Sequence, residues 1–289
     1  MKYYAAVWNT PKWELEAVTL QPPYSILASY YAFKNDPDII RDCLKKNYDI
    51  LIDCGAFSAE SSGKPINIVE YCEFLKYTEA ITYAGLDVIG NAKATRENNE
   101  FMVKEYGLRP IPTFHLGSTI EDLASIASGQ YPYIALGGLV FNSGVTSHCD
   151  QVWSWILKNN PKLRVHGFGV TNIELMDRYP WYSIDSSSFK SGKRYGRPSM
   201  LWNGMNWKTF SEEEFIGHLR KLGHVVTDPS FKKDGEDKKD KEDRSNDNRE
   251  RWFLYDFYSV QSYKMYAAHL KVVNKHKDFS YLTAQQSLF

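Results

Sequence analysis

The chain has 289 residues, with 35 Lys and Arg against 35 Asp and Glu, 43% hydrophobic residues and 24% charged ones. That is the balance of a globular chain long enough for one large domain or two small ones, and zero formal net charge means that nucleic-acid affinity would have to come from a local basic patch. No run nears the roughly 18 apolar residues of a membrane span, no signal peptide opens the chain, and Cys43, Cys54, Cys72 and Cys149 form no Cys-x-x-Cys pair. The sequence therefore predicts a reduced, cytoplasmic protein with no membrane association, no disulfide framework and no metal site.

In chain order, short runs with strand composition recur at 24–30 (YSILASY), Asp49–Asp53 (DILID), 86–90 (LDVIG), 111–115 (IPTFH), Tyr133–Gly137 (YIALG), 163–168 (LRVHGF) and 181–185 (WYSID). A weaker eighth run is 224–227 (HVVT). Between them lie stretches such as 68–83 and 119–128, whose apolar residues recur every three or four positions, as on a helix with one buried face. Eight strands alternating with helices over residues 1–227 predict an α/β fold, a (β/α)8 TIM-type barrel. Residues 228–251 hold nine acidic and eight basic residues and almost nothing apolar, which predicts a charged flexible insertion or linker. Residues 252–289 begin with apolar residues at helical spacing, which predicts a C-terminal helical segment docking on the barrel.

In such a barrel the active site forms at the carboxyl ends of the strands, and polar residues gather there. Asp53 closes DILID, Asp87 lies inside LDVIG, His115 closes IPTFH, Gly137 and Gly138 close IALGG, Gly167 and Gly169 flank Phe168, and Asp185 closes WYSID. Singly, an aspartate after a strand often only caps the next helix, and a glycine pair often only marks a turn. Together, three carboxylates, one imidazole and two glycine turns at one end of one barrel describe a site for a polar substrate. Two carboxylates flanking a sugar carbon suit glycosidic-bond chemistry, one as nucleophile and the other as acid or base.

The strings 50–58 (ILIDCGAFS), 134–139 (IALGGL), 165–170 (VHGFGV) and Ile184-Asp185 occur in the order of the barrel motifs of the tRNA-guanine transglycosylase superfamily. The fuller strings 107–117 (GLRPIPTFHLG) and 165–188 resemble most closely its phage-type branch, the DNA 7-deazaguanine transglycosylases. The resemblance covers about residues 24–200. It implies a transferase that exchanges guanine in an intact strand for a 7-deazaguanine base without a cofactor, in the host cytoplasm if the gene is a phage's. It also implies roles: Asp185 as the nucleophile at C1′, Asp53 as general acid and base, and Asp87 as reader of the N1 and exocyclic amine edge. His115 and Gly138, next to Gly137, would serve the base O6, and Phe57 and Phe168 would sandwich the base. The tRNA enzymes carry a C-terminal Cys-x-Cys-x-x-Cys and His zinc site that this chain lacks, which favours DNA over tRNA as the partner.

Lys190, Lys193, Arg194 and Arg197, four cations within eight residues, follow Asp185, and such a cluster could hold phosphates beside the reacting sugar. The rival readings are a transglycosylase acting on tRNA, a non-catalytic nucleic-acid-binding subunit of such an enzyme, and a hydrolase that releases the base to water.

Overall fold

Eight strands run parallel in one sheet: β1 (Lys2–Val7), β2 (Ser25–Ser29), β3 (Asp49–Asp53), β4 (Thr82–Tyr83), β5 (Thr113–His115), β6 (Tyr133–Gly137), β7 (Arg164–Gly167) and β8 (Ser183–Ser186). The computed structural model describes residues 1–7, 12–128, 130–140, 144–190, 199–226 and 238–284. The sheet order is β4-β3-β2-β1-β8-β7-β6-β5, and a parallel bridge between Ala84 and Ile111 joins its two outer strands. Gly85 N–H donates to the Ile111 carbonyl at 2.9 Å and Ile111 N–H to the Tyr83 carbonyl at 2.8 Å, so the sheet curls into a ring. This is an α/β barrel with helices between successive strands, as the alternation predicts.

The strands form where both faces find apolar neighbours. β1 reads KYYAAV and is buried at every position after Lys2, pairing β2 on one side and β8 on the other. Period-two alternation turns one set of side chains to the ring's interior, where Tyr4, Ala6, Leu27, Leu51, Ile111 and Ala135 form one cluster with Tyr133 and Phe168 against it. In β3 that set is Asp49, Leu51 and Asp53, an apolar middle with a carboxylate at each end.

The structure corrects the sequence reading in three places. β1 was not among the expected strands, so Asp53 closes the third strand and Asp185 lies on the eighth. The run 86–90 is not a strand; β4 is Thr82–Tyr83, the ladder ends at Gly85, and Val88 and Ile89 are exposed in the loop beyond. Residues 224–226 of the run 224–227 are not a strand either: His224 N–H closes back on the Leu219 carbonyl, and the Val226 carbonyl accepts from Arg220 Nε and Nη2, while Thr227 lies outside the described residues.

By contact the chain divides into two units, Met1–Asn9 with Tyr24–Ser186 and Ala268–Phe289, and Thr10–Pro23 with Ser187–Ala267. The first holds the barrel. In the second, the antiparallel hairpin of β9 (Ser199–Trp202) and β10 (Trp207–Phe210) and the helix Glu212–Lys221 share a core with Leu254 and Tyr255 of the helix Lys238–Val273. The expected boundaries at 228, 251 and 252 therefore shift. The charged run becomes helix from Lys238, continuous with the apolar stretch beyond, whose Leu254 and Tyr255 anchor it. The apolar stretch up to Ala267 packs within this second unit; from Ala268 on the chain belongs to the first, where Tyr281 Oη donates to the Arg178 carbonyl. Among the described residues, no helix is long and apolar enough to cross a membrane.

Candidate active site

Asp53, Asp87, His115, Gly137, Gly138, Phe168 and Asp185 all lie at or just past the carboxyl ends of barrel strands. Asp53 is brought there by the end of β3, and its Oδ2 accepts from Gly55 N–H at 3.1 Å. That tight turn needs glycine: Gly55 has φ +83°, and a Cβ there would meet Tyr31 Cβ at 2.5 Å and Ser29 Oγ at 2.6 Å. Burial, and then the charges of Asp87 and Asp185, push the Asp53 carboxyl up to about 7, against the backbone N–H groups that favour its ionised form. The charges of the other two carboxylates thus act on Asp53, which keeps its proton well above the usual carboxylate range.

Asp87 and His115 form a pair. Asp87 is placed by the loop after β4 and His115 by the end of β5, and Oδ2 lies 3.4 Å from His115 Nε2. The side chains are 6% and 17% exposed. Burial works to lower the His115 pKa, but the contact with Asp87 and the charges of Asp87 and Asp53 outweigh it and carry the imidazole above its usual value. Asp87 Oδ1 is buried without a hydrogen-bond partner. A buried carboxylate oxygen left bare is costly, and a donor on a ligand is the group that would complete it.

Gly137 makes room for His115. A Cβ at position 137 would sit 2.7 Å from Nδ1 and 2.8 Å from Cε1 of that imidazole, so any larger residue displaces the ring. Gly138 follows with φ +78°. The Gly-Gly pair in the sequence therefore has two separate causes, a ring seated on one residue and a left-handed turn at the other.

Asp185, on β8, is 6% exposed. Its Oδ1 accepts from Gly169 N–H at 2.9 Å and faces His166 Nε2 at 3.2 Å. His166 was not singled out in the sequence, although VHGFG places it two residues before Phe168, on the strand beside that of Asp185. Period two along β7 was the signal that could have found it. The Cys54 thiol next to Asp53 is fully buried, and burial with the charges of Asp53 and Asp87 pushes its pKa well up, so it stays a thiol and is no nucleophile.

The two expected sandwich residues differ. Phe57 stands 70% exposed on the helix Ala56–Ser62, while Phe168 is half-buried edge-on to His166 with ring centroids 4.6 Å apart. The basic cluster is not supported as drawn. Lys190 belongs to the second unit, is 1% exposed and pairs its ammonium with Glu14, so it does not face a phosphate backbone. Its four methylenes carry the charge inward to a buried carboxylate, where it neutralises Glu14. Lys193, Arg194 and Arg197 lie outside the described residues.

No family model matches the chain, and no curated protein matches it. Among solved structures it is similar to tryptophan synthase from M. tuberculosis in a ligand-free form, at 9% identity over 66% of this chain and 85% of that chain, with a TM-score of 0.44. A likeness at that level bears on neither reaction nor ligand.

Proposed function

We propose that the chain is a pentosyltransferase that exchanges guanine in DNA for a free 7-deazaguanine base through a covalent glycosyl-aspartate. The observation that carries the reading is Asp53, raised to about 7 by burial and by Asp87 and Asp185 in the same barrel mouth. A carboxyl raised in this way, with a second aspartate in the same mouth, suits a double displacement in which Asp185 is the nucleophile and Asp53 the proton donor and acceptor. Asp185 attacks C1′ as the bond to the guanine nitrogen breaks, and Asp53 gives its proton to the departing base. Asp53 then takes a proton from the incoming base, whose nitrogen attacks C1′ and frees Asp185. One glycosidic bond replaces another, so the exchange needs neither ATP nor a redox partner.

The bare Oδ1 of Asp87 and the neighbouring imidazole of His115 suit a base edge that offers donors and an acceptor side by side, as guanine and 7-deazaguanines do. In a duplex both C1′ and that edge are enclosed, so the target nucleotide must be extruded or unpaired at a cost of a few kcal/mol. The motif resemblance to the DNA-acting branch favours DNA.

The deciding experiment incubates the protein with labelled guanine and, separately, DNA and tRNA. Label entering DNA supports the proposal. Label entering tRNA alone moves the substrate to tRNA, loss of guanine without incorporation makes the protein a hydrolase, and strand binding without either leaves a binding subunit.

A further inference from the structure

We infer that His166 is a positioning residue for Asp185, held by a buried relay through Ser183 and Tyr133, and that Asp185 Oδ2 is the oxygen that attacks. The inference rests on the reading of Asp185 as nucleophile. Tyr133 Oη lies 2.5 Å from Ser183 Oγ, Ser183 Oγ lies 2.7 Å from His166 Nδ1, and His166 Nε2 lies 3.2 Å from Asp185 Oδ1. His166 and Ser183 are both 0% exposed. β6, β7 and β8 are adjacent in the sheet, with Tyr133 opening β6 and Asp185 near the end of β8, so the relay runs from one end of the barrel to the other.

The direction of each bond follows from what each group can do. An ionised carboxylate only accepts, so Nε2 carries the proton that faces Asp185. Nδ1 then accepts the Ser183 hydroxyl proton, and Ser183 Oγ in turn accepts from Tyr133. This chain leaves no proton ambiguous, and the ring cannot turn without breaking two contacts. It also disposes of a tempting alternative. Ser, His and Asp in sequence look like a hydrolytic triad, but a serine with no exposed surface, already bonded on both sides, meets no substrate.

Both donors to Asp185, His166 Nε2 and Gly169 N–H, reach Oδ1, and no hydrogen bond among the described residues reaches Oδ2. Two donors on one oxygen fix the carboxylate plane and leave the other oxygen's lone pairs free. In the first half-reaction Oδ2 forms the bond to C1′ while the C1′–N bond breaks, its electron pair leaving with guanine as Asp53 protonates the base. Oδ1 is then the ester carbonyl oxygen and keeps both donors. In the second half-reaction the Oδ2–C1′ bond breaks toward Asp185, and the same donors receive the returning charge.

The test is steady-state exchange with His166→Leu and His166→Gln, since the glutamine amide places an N–H near the position of Nε2 and leucine does not. His166→Leu should lower kcat by about 10- to 100-fold with KM for strand and free base within about twofold, and His166→Gln should recover most of that loss. Ser183→Ala, which removes only the far support of the ring, should lower kcat several-fold. A kcat for His166→Leu within twofold of wild type, or a folded His166→Gln variant no better than the leucine variant, overturns the inference. A separate arm needs no activity: nitrogen-15 spectra of wild-type protein labelled at histidine should show His166 protonated at Nε2 and bare at Nδ1. The opposite tautomer overturns the relay even if exchange is found. A wild-type protein inert on every strand overturns the transglycosylase reading instead, and the spectra still judge the relay.

Discussion

Both ends of this barrel carry polar side chains inward from the same strands, yet they are opposite in kind. At the amino end Asp49 accepts from Lys2 Nζ at 2.9 Å and from Tyr4 Oη at 3.1 Å. Lys2 and Arg164 lie 5.9 and 5.2 Å from the Tyr182 ring centroid. Asp49, Lys2 and Arg164 there each have an internal partner. At the carboxyl end Asp53 is driven toward neutrality, Asp87 Oδ1 is bare, and Asp185 bonds through one oxygen only. β3 supplies one aspartate to each end, so residue type alone does not mark a functional carboxylate. What distinguishes Asp53 is that its neighbours are other acids rather than a lysine and a phenol.

The sharpest way to break this contrast is Asp185→Ala, which should reduce exchange at least ~10³-fold while strand affinity stays within a few-fold, because the nucleophile acts in the transition state more than in docking. Rates on labelled guanine beside a binding titration check it.

Asp53→Asn comes next, with a loss of about 10²–10⁴-fold in exchange. The same variant should gain stability, and the sign depends on pH. A carboxyl raised to about 7 keeps its proton in the native state where the unfolded chain has lost it, so wild-type stability falls as pH rises from about 4 to 7. Asn cannot ionise. Melting temperatures of the two proteins should therefore agree near pH 4 and separate above pH 7, with the variant ahead by about 1–3 kcal/mol. A constant difference at all pH values would remove Asp53 from its assigned environment.

Asp87→Ala should weaken free-base binding by about 1–3 kcal/mol and leave strand affinity nearly intact, as isothermal titration with each ligand can show. His115 sharpens this test. Its raised pKa means that the donor form persists past the usual histidine range and is lost as pH rises through the folded value. Base affinity should drop across that step in wild type, and His115→Gln should flatten the drop.

The smallest effect is expected at the opposite end. Lys2 and Asp49 are 45% and 37% exposed at their side chains, so Lys2→Ala should cost under about 1 kcal/mol in urea unfolding and leave exchange unchanged.

Much of the barrel was legible because buried strands such as ILIDCG and YIALGG announce themselves by composition. β1 escaped because KYYAAV is buried on both faces and shows no alternation, and β4 because its two residues carry little strand signal while the more apolar run beside it, at Val88 and Ile89, faces solvent. Strand-end aspartates could be located from the sequence, whereas their unequal environments could not, since these arise from residues far apart: Asp53, Asp87 and Asp185. His166 was missed for a related reason. An imidazole within a strand reads as an isolated polar residue until Ser183 and Asp185 are known to face it. Lys190 shows the reverse error, because a run of cations says nothing about which one finds a buried carboxylate such as Glu14.

The pairing of β1 with β8 sets Tyr4 opposite Asp185, 181 residues away along the chain. During synthesis at about 5–20 residues per second, the first strand waits roughly 10–35 s before its second neighbour exists. Through that interval its edge must be held off other chains, and Asp185 is the last of the three carboxylates at the barrel mouth to reach its seat. Under the proposed function the nucleophile is thereby seated by the longest-range strand pairing in the ring, so a nascent chain lacking closure holds no half-built nucleophile able to attack a stray sugar.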